Sequence, residues 1–268
     1  MSTRKKRNSK KIKIPKHICA PIYYVESNTK HTKHKTCKMC SQPKQNTCKY
    51  KTERYAVKRP SEWASTSKTP HNLWLSCKDI SDVLEQYQEA YPCFTYIYPS
   101  YIDYDTLVPD TNTNSTQCVT PELCAFSVDT LISEGKKMVA IVFNLAKSTE
   151  KGSHWVCVFI HLIKREYIYF DSLGHPLPSE IMRFYNKINA QRTEQLPPFV
   201  MVPLLTRHQY GNNECGIYCL FAIALLLTGK RHISLSSPYV SWELRKKILK
   251  KDTLDDLYIK QYRRLFFS

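Results

Sequence analysis

The chain of 268 residues is long enough for one sizeable domain with an extension, and its 42% apolar content is sufficient for a packed core. Its six glycines argue against a flexible repeat protein. The net charge of +17 is uneven, because residues 1–60 hold 18 Lys and Arg against two acidic residues, whereas residues 61–268 hold 22 against 21. We therefore predict a basic, largely disordered N-terminal arm over residues 1–60 and a nearly neutral folded domain over residues 61–268.

The sequence shows neither a membrane span nor a secretory signal. The basic cluster Arg4–Arg7 is not followed by an apolar stretch. The most apolar run, Ile217–Thr228, is too short to cross a bilayer and indicates a buried helix. An odd count of 11 cysteines without such a signal favours reduced thiols. We therefore predict a soluble, intracellular protein with no membrane partner.

The basic arm has two interpretations. A block of like charge can bind DNA or another polyanion by releasing counterions, or it can act as a nuclear address. The alternative is a solvated tail without a specific partner.

Four residues within the arm, His31, His34, Cys37 and Cys40, include a Cys-x2-Cys pair and supply the ligand types of a tetrahedral zinc site. All four fall within ten residues, which is tight for a folded zinc module. A chance cluster in a tail rich in Lys, His and Cys is therefore the interpretation that we favour. We predict no metal in the folded domain.

Hydrophobic periodicity predicts regular structure from about residue 70 onward. Apolar side chains at 80, 83, 84 and 87 have helical spacing, and Ser76 is a plausible helix cap. Further helices are predicted at 179–190, 214–227, 241–250 and 253–266, and strands at 94–98, 138–145, 154–163, 166–170 and 199–204. Residues 104–127 are rich in turn formers and suggest loops. This order predicts an α+β layer fold.

A histidine and an aspartate flank the predicted hairpin. His154 opens the first strand and Asp171 follows the second, so that both lie at the same end of neighbouring antiparallel strands. A carboxylate in that position can accept a hydrogen bond from one imidazole nitrogen and leave the other nitrogen free for a nucleophile. Taken alone, either residue has a structural explanation, as a strand-start histidine or as part of a turn.

Cys215 begins the most apolar helix. The partial positive charge of a helix N-terminus and a nearby imidazolium both stabilise a thiolate. The backbone N–H of Cys215 and the side-chain amide of Gln209, six residues earlier, can donate to an oxyanion. Cys219, one turn further along the helix, and Cys157, inside a strand, are interpreted as core thiols.

These segments resemble the adenain and SUMO-protease group of cysteine proteases. The resemblance rests on His154-Trp155, on Asp171 after a hairpin and on Gln209-x5-Cys215-Gly216, and it extends over residues 70–268. The chain order of His, Asp and Cys separates this group from papain-like enzymes. The resemblance implies an adenain-like fold, in which helices flank a central mixed sheet. It also implies a triad of His154, Asp171 and Cys215, with Gln209 at the oxyanion and no required cofactor.

The resemblance also implies a substrate site. In SUMO proteases, two tryptophans form a narrow tunnel over a Gly-Gly sequence, and the positions matched here are Trp74 and Trp155. Two flat rings leave room only for residues without a Cβ. The alternative for Trp74 is a core aromatic that covers the first helix.

The sequence is most similar to copies of the family that large DNA viruses encode. This implies an endopeptidase that matures virion precursor proteins at Gly-Gly-X sites, packaged in the virion or directed to the nucleus by its arm. DNA or a peptide is a candidate activator, because adenain uses DNA as a cofactor. The alternatives are a deconjugase of SUMO-like modifiers, an acetyltransferase, and a non-catalytic nucleic-acid-binding protein with a degenerate protease fold.

Overall fold

The computed structural model describes residues 74–110, 115–191, 196–229, 240–251 and 254–267. The predicted arm over residues 1–60 lies outside these ranges, as do the candidate zinc ligands His31, His34, Cys37 and Cys40. The boundary between arm and domain therefore stays a prediction.

The described residues form seven helices and seven strands. The helices are α1 (Cys77–Ala90), α2 (Pro121–Cys124), α3 (Val128–Ser133), α4 (Ser179–Ala190), α5 (Cys215–Thr228), α6 (Trp242–Lys251) and α7 (Asp256–Phe266). The strands are β1 (Phe94–Tyr101), β2 (Leu107–Pro109), β3 (Thr116–Cys118), β4 (Met138–Asn144), β5 (Trp155–His161), β6 (Glu166–Phe170) and β7 (Val200–Leu204).

Five strands form a central mixed sheet in the order β1-β4-β5-β6-β7. The outer pairs, β1–β4 and β6–β7, are parallel, whereas β5 runs antiparallel to both of its neighbours, β4 and β6. Strands β2 and β3 form a separate antiparallel pair. The predicted α+β fold with a central mixed sheet and flanking helices is confirmed.

Helices cover both faces of this sheet. Alternate residues of β5 point to opposite sides, since successive side chains of a strand face opposite ways. Trp155, Cys157 and Phe159 belong to the core shared with α1, α5, α6 and α7, whereas the side chains between them belong to the core shared with α4. Every residue of α5 is buried, which explains its uniformly apolar sequence and confirms the predicted buried helix.

Most predicted elements agree with the structure to within a few residues. Helix α4 occupies the predicted range, and α1 begins after Ser76, whose side chain accepts from the Asp79 amide within a reciprocal capping box. The short elements β2, β3, α2 and α3 were not predicted. Each has three to six residues, too few to show a clear hydrophobic period.

The expectation of reduced thiols is wrong for one pair of cysteines. Cys118, at the end of β3, forms a disulfide with Cys124, at the end of α2. A count of cysteines does not show which two are close in the fold, and here the turn after β3 brings this pair together. Among the described residues, the free cysteines are Cys77, Cys93, Cys157, Cys215 and Cys219.

Within the described ranges, no helix combines the length and apolar character that a membrane crossing requires. The same ranges contain no cluster of three or more His, Cys, Asp or Glu side chains arranged to hold a metal ion.

Candidate active site

The central hairpin brings His154 and Asp171 together at one end of the sheet. His154 directly precedes β5 and Asp171 directly follows β6, and the antiparallel register pairs Cys157 with Phe170. The Nε2 atom of His154 lies 2.6 Å from the Oδ1 atom of Asp171. Because Nε2 is engaged in this way, Nδ1 is the ring nitrogen left to face a nucleophile.

A tight turn fixes the Asp171 carboxylate, which is fully buried. The backbone N–H of Leu173 donates to Oδ1 at 2.9 Å, and that of His175 donates to Oδ2 at 3.0 Å. Gly174 adopts a φ of +77°, and a Cβ at this position would lie 2.6 Å from the carbonyl oxygen of Leu205. The turn therefore requires glycine, and its amides supply the buried carboxylate with hydrogen bonds.

Two neighbouring groups, Asp171 and Cys215, raise the basicity of His154. Burial alone lowers the pKa of His154, but hydrogen bonds to Asp171 and Cys215 and the attraction of these groups outweigh it and raise the pKa to about 9. At neutral pH the imidazole is therefore protonated, and it interacts with the Cys215 side chain. An imidazolium in this position favours the thiolate form of the cysteine.

Cys215 is the first residue of α5 and is 2% exposed. The residue before it, Glu214, occupies the N-cap position but makes no side-chain capping hydrogen bond. The first amides of a helix have no intrahelical acceptor, so the N–H groups around Cys215 are available to a developing negative charge. The same helix terminus thus offers a nucleophile and donors for an oxyanion.

Gln209 is buried beside the turn that carries Asp171. Its Oε1 accepts from the Ser172 hydroxyl at 2.8 Å, and its Nε2 donates to the Gly211 carbonyl at 2.7 Å. A side-chain amide has two N–H donors, so one remains after the bond to Gly211. The backbone amides of His208 and Gln209 both donate to the Ser172 carbonyl oxygen, each at 2.8 Å. The segment before Cys215 is therefore attached directly to the end of β6.

The two tryptophans predicted to contact substrate differ in access to solvent. Trp74 is 45% exposed, and its indole N–H donates to the side chain of Asn213, two residues before Cys215. Trp155 is 3% exposed, and its indole N–H donates to the Leu75 carbonyl oxygen at 3.0 Å. The interpretation of Trp74 as a core aromatic is thus wrong, whereas Trp155 lies beneath the surface and supports the chain next to Trp74.

Several residues that shape the site were not predicted from the sequence. Ser172 orients Gln209, and Asn213 binds Trp74. Asp256 and Arg263, both on α7, contact the segment that leads to Cys215. One available signal was Glu214, a charged side chain at the start of a wholly apolar helix, which predicts a buried partner of opposite charge.

Comparisons with known proteins identify relatives of this domain. Residues 133–256 match the family model for the Ulp1 protease family, C-terminal catalytic domain. The putative thiol protease R355 of Acanthamoeba polyphaga mimivirus is 26% identical over 174 residues, which cover 63% of this chain and 53% of that protein. The SUMO-1 cysteine protease S273R of African swine fever virus is 33% identical over 86 residues, or 31% of each chain. The chain thus spans about half of the first relative and a smaller part of the second.

The crystal structure of the African swine fever virus pS273R protease has a similar fold. It matches with a TM-score of 0.57 at 19% identity, over 75% of this chain and 70% of that chain. A second crystal structure of this protease, with selenomethionine, gives a TM-score of 0.53.

Proposed function

We propose that the chain is a cysteine-type peptidase, on the premise that residues 133–256 form a catalytic domain of the Ulp1 protease family. Cys215 is the nucleophile, His154 is the general base and acid, and Asp171 orients His154. Gln209 and the backbone N–H of Cys215 hold the oxyanion.

One observation supports this proposal: the His154 imidazole bonds to Asp171 and interacts with Cys215. The Nε2 atom of His154 lies 2.6 Å from Asp171 Oδ1, and Cys215 is among the groups that raise the pKa of His154. A nucleophile, a base and a residue that orients the base form the minimal arrangement for acyl transfer through a covalent intermediate.

The proposed reaction proceeds through an acyl-enzyme. The Cys215 thiolate attacks the scissile carbonyl carbon, a C–S bond forms, and the carbonyl electron pair moves to the oxygen as an oxyanion. When the oxyanion collapses, the C–N bond breaks and His154 gives its proton to the leaving amine. His154 then accepts a proton from water, which attacks the thioester, and the carboxylic acid and the Cys215 thiolate are released.

We propose that the bond cleaved follows the second glycine of a Gly-Gly-X sequence. The exposed ring of Trp74 is held beside the nucleophile by Asn213, where it can cover an extended substrate chain. A flat aromatic surface this close to the reacting bond disfavours side chains before that bond and accepts glycine, which has none.

The proposed biological role is maturation of virion precursor proteins. Two observations support it: the curated relatives come from a mimivirus and from African swine fever virus, and the basic residues 1–60 suit packaging beside DNA. In this proposal DNA or a peptide acts as an activator rather than as a required cofactor.

Deconjugation of a SUMO-like modifier is the second candidate function. It is favoured by the name of the African swine fever virus relative, a SUMO-1 cysteine protease. The chemistry would be the same, but the enzyme would recognise a folded modifier as well as its Gly-Gly end. A non-catalytic nucleic-acid-binding role is disfavoured, because a degenerate site would have no reason to keep all four residues at His154, Asp171, Gln209 and Cys215.

The experiment that tests the proposal compares cleavage of a Gly-Gly-X peptide and of a SUMO fusion, each with and without DNA, under reducing conditions. We expect wild type to cleave and Cys215→Ala to lose activity by roughly 10⁴-fold or more. The matched control is Cys77→Ala, which removes a free, partly exposed thiol from α1. Preference for the peptide supports maturation, and preference for the fusion supports deconjugation.

The proposal is overturned if wild type cleaves neither substrate and a thiol-reactive probe does not label Cys215. Equal activity of Cys215→Ala and wild type would also overturn it.

A further inference from the structure

Two charged residues of α7 contact the segment that leads to the nucleophile. This segment, residues 209–214, is called the nucleophile loop here, and it has no helix or strand of its own. Asp256 and Arg263 are seven positions apart, which is about two helical turns, so both project from the same face of α7. That face packs against the nucleophile loop and α5.

Asp256 holds the first half of the nucleophile loop. Its Oδ2 accepts from the backbone N–H of Tyr210 at 3.0 Å and from that of Gly211 at 2.6 Å. The hydroxyl of Tyr218 lies 3.1 Å from its Oδ1 and also contacts the carbonyl oxygens of His208 and Leu254. Tyr218 lies one turn after Cys215 on α5, so a single carboxylate connects the loop with the helix that carries the nucleophile.

Arg263 holds the second half of the loop. Its Nη2 donates to Glu214 Oε2 at 3.1 Å and to the Asn213 carbonyl oxygen at 3.2 Å, and its Nε donates to Glu214 Oε2 at 3.3 Å. The two side chains are 2% and 1% exposed. Because Glu214 directly precedes Cys215, this buried ion pair fixes the start of α5.

We infer that Asp256 and Arg263 are positioning residues of this peptidase, which hold Cys215 against His154 through the nucleophile loop. The expected effect on the reaction rate rests on the proposed function. The geometry rests on the hydrogen bonds given above. Five hydrogen bonds from α7 reach the loop, at both of its ends. Without them the loop can relax, and a displacement of about 1 Å at a reacting group can cost on the order of a hundredfold in rate.

The chain offers a matched control in the residue next to Asp256. Asp255 is the N-cap of α7 and accepts from the Tyr258 amide at 2.6 Å. Asp255→Ala therefore removes a capping bond within α7 and none to the loop, whereas Asp256→Ala removes bonds to the loop. Asp256→Asn keeps an acceptor oxygen for the two loop amides and serves as the conservative variant.

The experiment measures kcat and KM with the cleaved substrate and, separately, titrates His154 by NMR in the full-length protein. For Asp256→Ala we expect kcat to fall by about ten- to hundredfold with little change in KM. We also expect the pKa of His154 to fall below about 9, because the displaced Cys215 interacts with it less strongly. Asp256→Asn should recover most of both quantities, and Asp255→Ala should leave both unchanged.

The inference is overturned if Asp256→Ala leaves kcat and the His154 titration unchanged, or if Asp255→Ala alters them equally. Arg263→Lys keeps the charge but replaces two bonding guanidinium nitrogens with one ammonium group, so it tests the other end of the loop if Asp256→Ala does not fold. Unchanged kcat and His154 titration in Arg263→Lys would likewise overturn it. If wild type cleaves no substrate, the proposed function fails, yet the His154 titration still tests the geometry.

Discussion

Gly216 packs directly against Leu75, and a Cβ built on Gly216 would lie 3.2 Å from the Leu75 Cβ atom. The residue after the nucleophile thus contacts the residue after Trp74. The Leu75 carbonyl also accepts from the Trp155 indole. The chain that presents Trp74 is therefore held between the nucleophile helix and the central sheet.

We expect Gly216→Ala to lower kcat/KM by about tenfold, because the added methyl group displaces Leu75 and with it Trp74. Overpacking in a buried site also lowers the free energy of unfolding by about 1–3 kcal/mol. The measurements are peptide cleavage and denaturant unfolding. Gly135→Ala is the control, because Gly135 has a φ of +80° with no atom near its Cβ position. It should lose stability without losing activity, and equal activity of Gly216→Ala and wild type would contradict the prediction.

The second prediction concerns pH. Asp171→Asn removes a charge that raises the pKa of His154 to about 9, so the alkaline limb of kcat/KM should move to lower pH. The rate at the optimum should fall by roughly 10²- to 10⁴-fold, because His154 also loses its orientation. A pH–rate profile checks both effects. Asp105→Asn, which breaks an ion pair with Arg183 outside the catalytic residues, should leave the profile unchanged.

The same group contributes a pH-dependent part of the stability. The pKa of His154 is raised in the folded protein, so its contribution is fully present below the ordinary histidine value of 6.5 and is lost as pH rises through about 9. We expect the difference in unfolding free energy between wild type and Asp171→Asn to shrink over this range. A constant difference from acid to alkaline pH would contradict the assignment.

The buried ion pair between α7 and Glu214 gives a further prediction. Arg263→Met leaves the Glu214 carboxylate buried without its partner and should lower the free energy of unfolding by about 3–5 kcal/mol. Burial already raises the pKa of Glu214, and losing Arg263 removes a charge that opposes this rise. Stability lost in Arg263→Met should therefore return partly as pH falls and Glu214 takes up a proton. Denaturant unfolding as a function of pH checks this.

The double variant Glu214→Gln/Arg263→Met is the control for this pair. It removes both charges, so we expect it to be more stable than Arg263→Met alone. An additive loss in the double variant would show that the pair does not interact.

The final prediction concerns the basic residues 1–60. Their deletion should weaken binding of duplex DNA by at least about tenfold at low salt, because most of the net charge is removed. The affinity for DNA should also depend less steeply on salt concentration. Cleavage of a short peptide without DNA should be retained, and any stimulation by DNA should be lost. Binding curves at several salt concentrations and a peptidase assay check this, and unchanged DNA affinity would contradict it.

Sequence reasoning predicted those parts of the fold in which local pattern and final packing agree. Helix α4 was predicted because Ile181, Phe184 and Ile188 repeat at helical spacing, and these same side chains are buried. The hairpin of β5 and β6 followed from two β-rich runs separated by a turn, and it was enough to predict the proximity of His154 and Asp171.

The contacts that shape the nucleophile loop were not predictable in the same way. Asp256 and Arg263 lie 38 to 50 positions after the groups that they bind, and only the packing of α7 against α5 brings them together. In the sequence, Asp256 has the features of an ordinary acidic residue in the first turn of a helix. Trp155 has the sequence context of a substrate contact, yet the docking of Leu75 covers it.

The contact between Cys157 and Cys219 has a consequence for how the triad is spaced. Cys157 lies three residues after His154 on β5, and Cys219 lies four residues after Cys215 on α5, with the Cys157 sulfur 3.9 Å from the Cys219 carbonyl oxygen. The small Cys157 side chain therefore lies directly against the backbone of α5 and limits how near the helix approaches the sheet. Packing in the core, away from the substrate, therefore helps to set the distance between His154 and Cys215.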